Sequence, residues 1–226
     1  MDKTLVRDAA TIIVLRGATR HPSVLMGQRG QGAAFMPGKF VFPGGAVDPN
    51  DAFVPSTAIG EPHAARLAEE SRFAPTAIAA AAIRELWEET GQIIGAPAAW
   101  SDPPQGWRGF AATGHQPNAA ALSYFFRAIT PHGRPRRFDA RFLLADATAL
   151  IGDVDNFDGA EDELAHLQWV KLSDARHFDL PFITQVVLAE LSSYIANGRV
   201  IDTVPFFRND DEDRLVTRLG GNSPLD

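Results

Sequence analysis

The chain has 226 residues, 45% hydrophobic and 22% charged, which suits one sizeable globular domain with insertions. It contains no cysteine, so disulfides, zinc–thiolate centres and thiol nucleophiles are excluded. A formal net charge of −7 argues against non-specific binding to a nucleic-acid polymer, and no apolar run reaches the roughly 20 residues of a membrane span.

Residues 8–16 are rich in β-branched side chains and predict a buried strand. After a turn over Gly17 to Pro22, Ser23 to Arg29 predict its hairpin partner, with Arg29 at the end facing the next loop. Gly30 to Gly38 is a glycine-rich loop in which Phe35 and Met36 either line a ligand slot or cover the core. Lys39-Phe40-Val41-Phe42 is strand-like and ends in Pro43-Gly44-Gly45, where two glycines allow bare backbone beside a ligand. Val47 to Asp51 is a turn by residue type; Asp48 or Asp51, close to the glycine pair, could supply a carboxylate to a metal site, but turn chemistry accounts for both without a metal. Glu61 to Glu70 reads as a short helix with Pro62 at its first position.

Pro75 opens a helix that continues to Gly91, a residue suited to a left-handed helix stop. Ala79, Ala82, Ile83 and Leu86 form its apolar stripe. Glu85, Glu88 and Glu89 stand at i, i+3 and i+4 and share a neighbouring face, with Arg84 four residues before Glu88. Three carboxylates on one turn repel one another unless a cation lies among them, and hard divalent ions accept such oxygen clusters.

Beyond Gly91, a Pro/Gly/Trp-rich segment runs to Pro117 and includes His115, a group able to titrate near neutral pH. Residues 121–130 predict a strand from their aromatic and alternating content. Arg136, Arg137 and Arg141 then form a basic cluster in an acidic chain. Guanidinium forks suit phosphate oxygens, whereas a structural reading pairs Arg137 with Asp139. Glu161-Asp162-Glu163 precede a strand ending in Trp169-Val170. Residues 181–197 predict a helix that packs on the sheet, and residues 208–226 a mobile charged tail.

The stretches around Gly44-Gly45 and Arg84 to Gly91 resemble the Nudix hydrolases, whose box reads Gly-x5-Glu-x7-Arg-Glu-U-x-Glu-Glu-x-Gly-U with U bulky and apolar. Gly45 is the opening glycine. Arg84, Glu85, Leu86, Glu88, Glu89 and Gly91 fill the second half, while Gln92 stands at the last U and Ile93 follows it. The family has about 13 residues between the glycine and the arginine; here there are 38. The box is thus interrupted by an insert over about 46–74, and the glutamate counted eight positions back from Arg84 is Thr76. An insert at this place, together with the run from Ala34 to Gly45, resembles the peroxisomal coenzyme A diphosphatase branch and its bacterial relatives.

The resemblance implies an α/β Nudix fold over residues 1–226, a mixed, curled sheet between helices in a single domain, with the insert as a cap over the site or a homodimer element. It implies Mg²⁺ or Mn²⁺ held by Glu85, Glu88, Glu89 and the Gly44 carbonyl, Arg84 holding a glutamate in place, and Glu163 or Glu85 as base with Glu161 second. It implies phosphate contacts from Arg29, Arg136, Arg137 or Arg141. The expected activity is cleavage of a diphosphate bond in a small nucleotide-type substrate, coenzyme A or an acyl-CoA first, ADP-ribose or a dinucleotide next. A nonenzymatic nucleotide-binding module of the same fold is the alternative. Met1-Asp2-Lys3-Thr4 lacks the pattern of a secretory leader, and Ser223 to Asp226 is not a peroxisomal address, so a cytoplasmic location is expected.

Overall fold

A computed structural model describes residues 5–17, 20–33, 35–209 and 216–219. Strands β1 (Val6–Arg16) and β2 (Ser23–Arg29) lead to the short β3 (Phe40–Val41) and β4 (Gly44–Ala46). A 3₁₀ turn over Pro49–Phe53 precedes α1 (His63–Ala68) and α2 (Pro75–Thr90). Then come β5 (Gly95–Pro97), α3 (Arg108–Ala112), β6 (His115–Pro117), β7 (Ser123–Ile129), β8 (Arg137–Asp146) and β9 (Leu164–Lys171). Helix α4 (Phe182–Ala196), β10 (Val204–Phe207) and β11 (Val216–Leu219) complete the described chain.

Nine of these strands form one mixed sheet in the order β11-β10-β7-β8-β1-β2-β3, with β4 paired to β1 and β9 to β2. β1 is its axis. It runs parallel to β8 from Val6↔Arg137 to Leu15↔Asp146. On its other edge it pairs first with β4, at Ala9 to Thr11, and then with β2, at Leu15 and Arg16. One strand with two successive partners on the same edge splits the sheet and curls it. Strands buried on both faces read as continuous apolar runs, which explains the Ile12-Ile13-Val14-Leu15 sequence at the centre of β1.

Alternation along β1 divides the core. Ala10, Ile12 and Val14 face α2, with Ile78, Ile83 and Leu86, while Ile13 and Leu15 face α4, with Val187, Leu188 and Leu191. Helix α2 begins with proline in its first turn and contains the Ala79 to Ala82 run, both favourable to helix. It ends at Gly91, whose φ of 73° is left-handed and whose N–H donates to the Trp87 carbonyl at 2.8 Å. Ile83 and Leu86 are fully buried, and truncating either to alanine removes about 2–5 kcal/mol of packing.

Beyond Asp51 the insert packs against the α2 side of the sheet. Val54, Ile59, Leu67 and Phe73 join the core there. Three arginines hold its returning end, Arg127 and Arg141 buried and Arg72 exposed. Arg127 of β7 donates to the carbonyls of Glu69 and Glu70, both at 2.9 Å, and to Asp139. Arg72 donates to Asp8 at 2.9 Å and to the Val6 carbonyl at 2.8 Å. Arg141, 1% exposed, pairs with Asp8 and Asp139. The expected Arg137–Asp139 pair does not form. Asp139 belongs to Arg127 and Arg141, and the Arg137 Nε donates to the Thr130 carbonyl at 3.0 Å.

The tail also differs from expectation. Val216–Leu219 pairs antiparallel with β10, as the edge strand of the sheet. Residues 210–215 and 220–226 of the expected mobile tail lie outside the described residues. Among the described residues no helix is long and apolar enough to cross a membrane.

Candidate functional site

The sheet and α2 meet where β4 leaves β1, and glycine is required there twice. A Cβ on Gly44 would lie 2.7 Å from the Ala10 carbonyl oxygen and the Thr11 Cα. A Cβ on Gly45 would lie 2.5 Å from the carboxyl carbon and both oxygens of Glu85. The helix therefore brings its carboxylates onto bare backbone. The Gly44 N–H donates to Glu89 Oε2 at 2.7 Å.

Arg84 organises the other two glutamates. Its Nη1 donates to Glu85 Oε1 and Glu88 Oε2, both at 2.8 Å. Its Nη2 donates to the Ala46 carbonyl at 3.0 Å. Its Nε and Nη2 also reach Asp51 Oδ1 and Oδ2, at 3.0 and 3.2 Å. Asp51 has a fully buried side chain, so this is a buried two-pronged ion pair. Asp51 Oδ2 further accepts the Asp48 N–H, and Asp48 caps Asn50 in turn. The indole N–H of Trp107 donates to Asp51 Oδ1 at 2.9 Å.

This corrects the sequence reading. Thr76 lies exposed in the first turn of α2, more than two helical turns from Arg84. The acid that meets Arg84 is Asp51, for which the sequence favours turn chemistry over a stand-in for the missing carboxylate; it serves both ends at once. Counting forward from Gly45 finds it, since Gly45-x5-Asp51 keeps the first spacing of the box and places the insert after it. Trp107 was not singled out either, and its contact spans 56 positions of chain.

Burial controls the electrostatics. Desolvation raises the Glu85 carboxyl to about 7, with Arg84 opposing and Glu88 reinforcing the shift. Desolvation, then the neighbouring Glu85 charge, holds Glu89 well above the usual carboxylate range, although the Gly44 N–H opposes this. Glu88 is raised for the same first reason, with Arg84 in opposition. Burial and mutual repulsion thus oppose full ionisation of the three carboxyls, and Arg84 only partly offsets this at Glu85 and Glu88. Glu89 Oε1 is buried without a hydrogen-bond partner. A hard cation fits such oxygen donors and would satisfy that atom. Among the described residues no three acid or imidazole side chains already converge on one point, and Glu85 and Glu88 are both turned to Arg84.

Glu163 precedes β9 and accepts from Arg29 Nη2 at 2.9 Å. Register places Arg29 opposite Leu164, so pairing of β2 with β9 brings both residues to this rim. Glu163 is close enough to raise both Glu85 and Glu89, and Arg29 to lower Glu89. The Arg29 Nε is buried without a partner. The Glu161 N–H donates to the Glu88 carbonyl at 2.8 Å, drawing the acidic loop onto the end of α2.

The basic cluster is placed elsewhere. Arg137 and Arg141 are committed within the sheet, at Thr130 and at Asp8 with Asp139, and Arg136 is exposed at the turn before β8. Alternation in β8 is the physical reason: residues 137, 139 and 141 share the face covered by α2 and the insert. Phe35 packs edge-on against Phe138, with centroids 5.3 Å apart. His115 has its Nδ1 3.2 Å from Thr113 Oγ1 and accepts the Trp100 indole at its carbonyl, a structural role.

No protein-family model matches the chain. A Caenorhabditis elegans protein provisionally named nudix hydrolase 7 is 31% identical over 178 residues, 73% of this chain and 51% of that protein. The chain therefore spans about half the length of the curated relative it matches. Among solved structures, a NUDIX hydrolase from Alicyclobacillus acidocaldarius superposes with a TM-score of 0.61 at 24% identity, over 85% of this chain and 96% of that one.

Proposed function

We propose that this chain, which is similar to Nudix hydrolases in sequence and fold, carries out cation-assisted hydrolysis of a diphosphate bond in a nucleoside-diphosphate-linked small molecule. The observation that carries this reading is the buried, unpartnered Oε1 of Glu89 within a carboxylate cluster whose full ionisation is opposed by burial and mutual repulsion. Glu85, Glu88, Glu89 and the Gly44 carbonyl would hold Mg²⁺ or Mn²⁺. Such an ion supplies neutralisation of the diphosphate and a lowered pKa for the attacking water.

The residues of the chain do the rest. Arg84 fixes Glu85 and Glu88 in place and is itself fixed by Asp51. Glu85 in the cluster and Glu163 at the rim are the two carboxylates placed to accept the water proton. Arg29, beside Glu163, is placed to bind a phosphate oxygen. The water oxygen bonds to one phosphorus, the bridging P–O bond breaks, and the water proton passes to the base, leaving two phosphate products.

The interrupted box supports coenzyme A or an acyl-CoA as the first substrate to try, with phosphopantetheine and adenosine bisphosphate as products; ADP-ribose and dinucleotides follow. The test is incubation with Mg²⁺ or Mn²⁺ and coenzyme A, acetyl-CoA, ADP-ribose, NADH or a diadenosine polyphosphate, with products identified by mass spectrometry. Metal-dependent cleavage of one compound, absent in Glu89→Gln, is the expected result. Binding without cleavage of any compound would replace the enzyme with a nucleotide-binding regulatory module.

A further inference from the structure

We propose that Trp107 is a positioning residue that sets the arginine of the cation site through Asp51, tying the segment 98–114 to the glutamate helix; the inference rests on the function proposed above. Asp51 Oδ1 is shared by two buried donors, Arg84 Nε at 3.0 Å and Trp107 Nε1 at 2.9 Å. Arg84 then presents Nη1 to Glu85 and Glu88, two of the carboxylates that would meet the ion. An uncharged donor at Asp51 adds no charge to the site; its effect is on angle and depth. A buried acceptor that loses one of its donors re-aims toward those that remain, and here that means the guanidinium.

The indole is held from three sides. Trp107 is fully buried, with Phe110 5.4 Å and Trp100 5.9 Å away between centroids. Phe110 stands edge-on to Trp87 of α2 at 6.0 Å. Gly109 lies so close to the Trp87 ring that a Cβ there would be 2.3 Å from Cη2. α3 and its preceding turn are therefore latched to the outer face of the same helix that carries the glutamates. Gln105 and Gly106, just before the indole, border a cleft of about 340 Å³ together with Asp51, Arg84 and Glu88. The segment that touches whatever occupies this cleft also holds the acid behind Arg84.

The test uses Mn²⁺ alone, titrated into the full chain and followed by electron paramagnetic resonance of the free ion. Trp107→Phe removes the N–H and keeps a ring against Trp100 and Phe110. It should weaken Mn²⁺ binding roughly tenfold, the scale seen when an outer-shell partner of a metal site is lost. Trp100→Phe, which removes an indole bond to His115 in the same aromatic cluster, should bind as the wild type does. In an Asp51→Asn background the Trp107→Phe effect should shrink below threefold, because the two residues act through one contact.

Equal Mn²⁺ affinity of Trp107→Phe and wild type overturns the inference while leaving the function standing. So does an effect of undiminished size in the Asp51→Asn background, which would mark Trp107 as packing only. A wild-type chain with no saturable Mn²⁺ site overturns the function itself and this inference with it. If Trp107→Phe does not fold, the assigned indole N–H resonances of ¹⁵N-labelled wild type decide. Mg²⁺ should shift the Trp107 signal and leave that of Trp100 in place; a stationary Trp107 signal overturns the inference.

Discussion

Replacing Asp51 by alanine should destabilise the metal-free protein by about 3–4 kcal/mol. The carboxylate accepts from Arg84 Nε and Nη2, from the Trp107 indole and from the Asp48 N–H, with its side chain fully buried. Removing one partner of a buried ion pair costs about 3–5 kcal/mol, because the remaining charge is stranded. Arg84 keeps Glu85 and Glu88 at Nη1, so the lower end applies, and loss of the turn's capping contact adds about 1 kcal/mol. For a domain of this size that corresponds to a fall of about 6–15 °C in midpoint. Urea denaturation monitored by far-ultraviolet circular dichroism and by tryptophan fluorescence measures it, with coincidence of the two transitions as the check on two-state behaviour. Thr76→Ala, at an exposed position, should stay within about 0.5 kcal/mol of wild type. An Asp51→Ala variant within about 1 kcal/mol of wild type would refute the argument that this aspartate anchors Arg84.

Glu89→Gln should fold as well as wild type or better, since it removes a desolvated charge while keeping an acceptor for the Gly44 N–H; its diphosphate hydrolysis should fall at least a hundredfold at saturating metal, and retained turnover would dismiss the ligand set. The metal-free protein should lose stability as pH rises. Glu85 is raised from 4.5 to about 7 on folding, so the native state binds the extra proton, and the contribution is full below about pH 4.5 and is lost through pH 7. The full loss is about 3 kcal/mol, of which about 2 kcal/mol falls between pH 5.5 and 8; Glu89 acts in the same direction, Mg²⁺ should restore the midpoint at pH 8, and thermal scans at pH 5.5 and 8 with and without the ion check it. Arg127→Ala frees the Glu69 and Glu70 carbonyls, so trypsin should cut at Arg66 or Arg72 several-fold faster than in wild type, as followed by mass spectrometry of the fragments.

Local signals carried most of the fold. The apolar run of β1, the alanine stripe of α2 with Pro75 before it and Gly91 after it, and the aromatic alternation of β7 each depend on neighbours a few positions away. The glutamate face was legible because helical spacing alone puts Glu85, Glu88 and Glu89 together. What escaped was long-range. Counting back from Arg84 puts the box acid at Thr76, and Asp51 beside the glycine pair is weighed for the role but set aside for turn chemistry, whereas the turn that follows Gly45 is what carries it to Arg84. Trp107 sits in a segment whose composition signals only turns, and its value comes from α3 docking on Trp87. The arginine run was informative about charge but not about direction. The period of two in β8 turns Arg137 and Arg141 inward, where Asp8 and Asp139 pair with Arg141 and the Thr130 carbonyl accepts from Arg137.

The insert has one further consequence. The chain leaves the box at Asp51, whose side chain meets Arg84, and returns at Pro75, about 13 Å of helix rise before that arginine. The interrupted signature is therefore nearly contiguous in space although 32 residues separate its two halves in the chain. An excised version rejoined over that gap would keep every group at the cation site, while exposing Asp8, Arg127 and Asp139 to water. The excursion is thus separable from the chemistry but not from the sheet it shields, and it is a place for splicing domains rather than for tuning turnover.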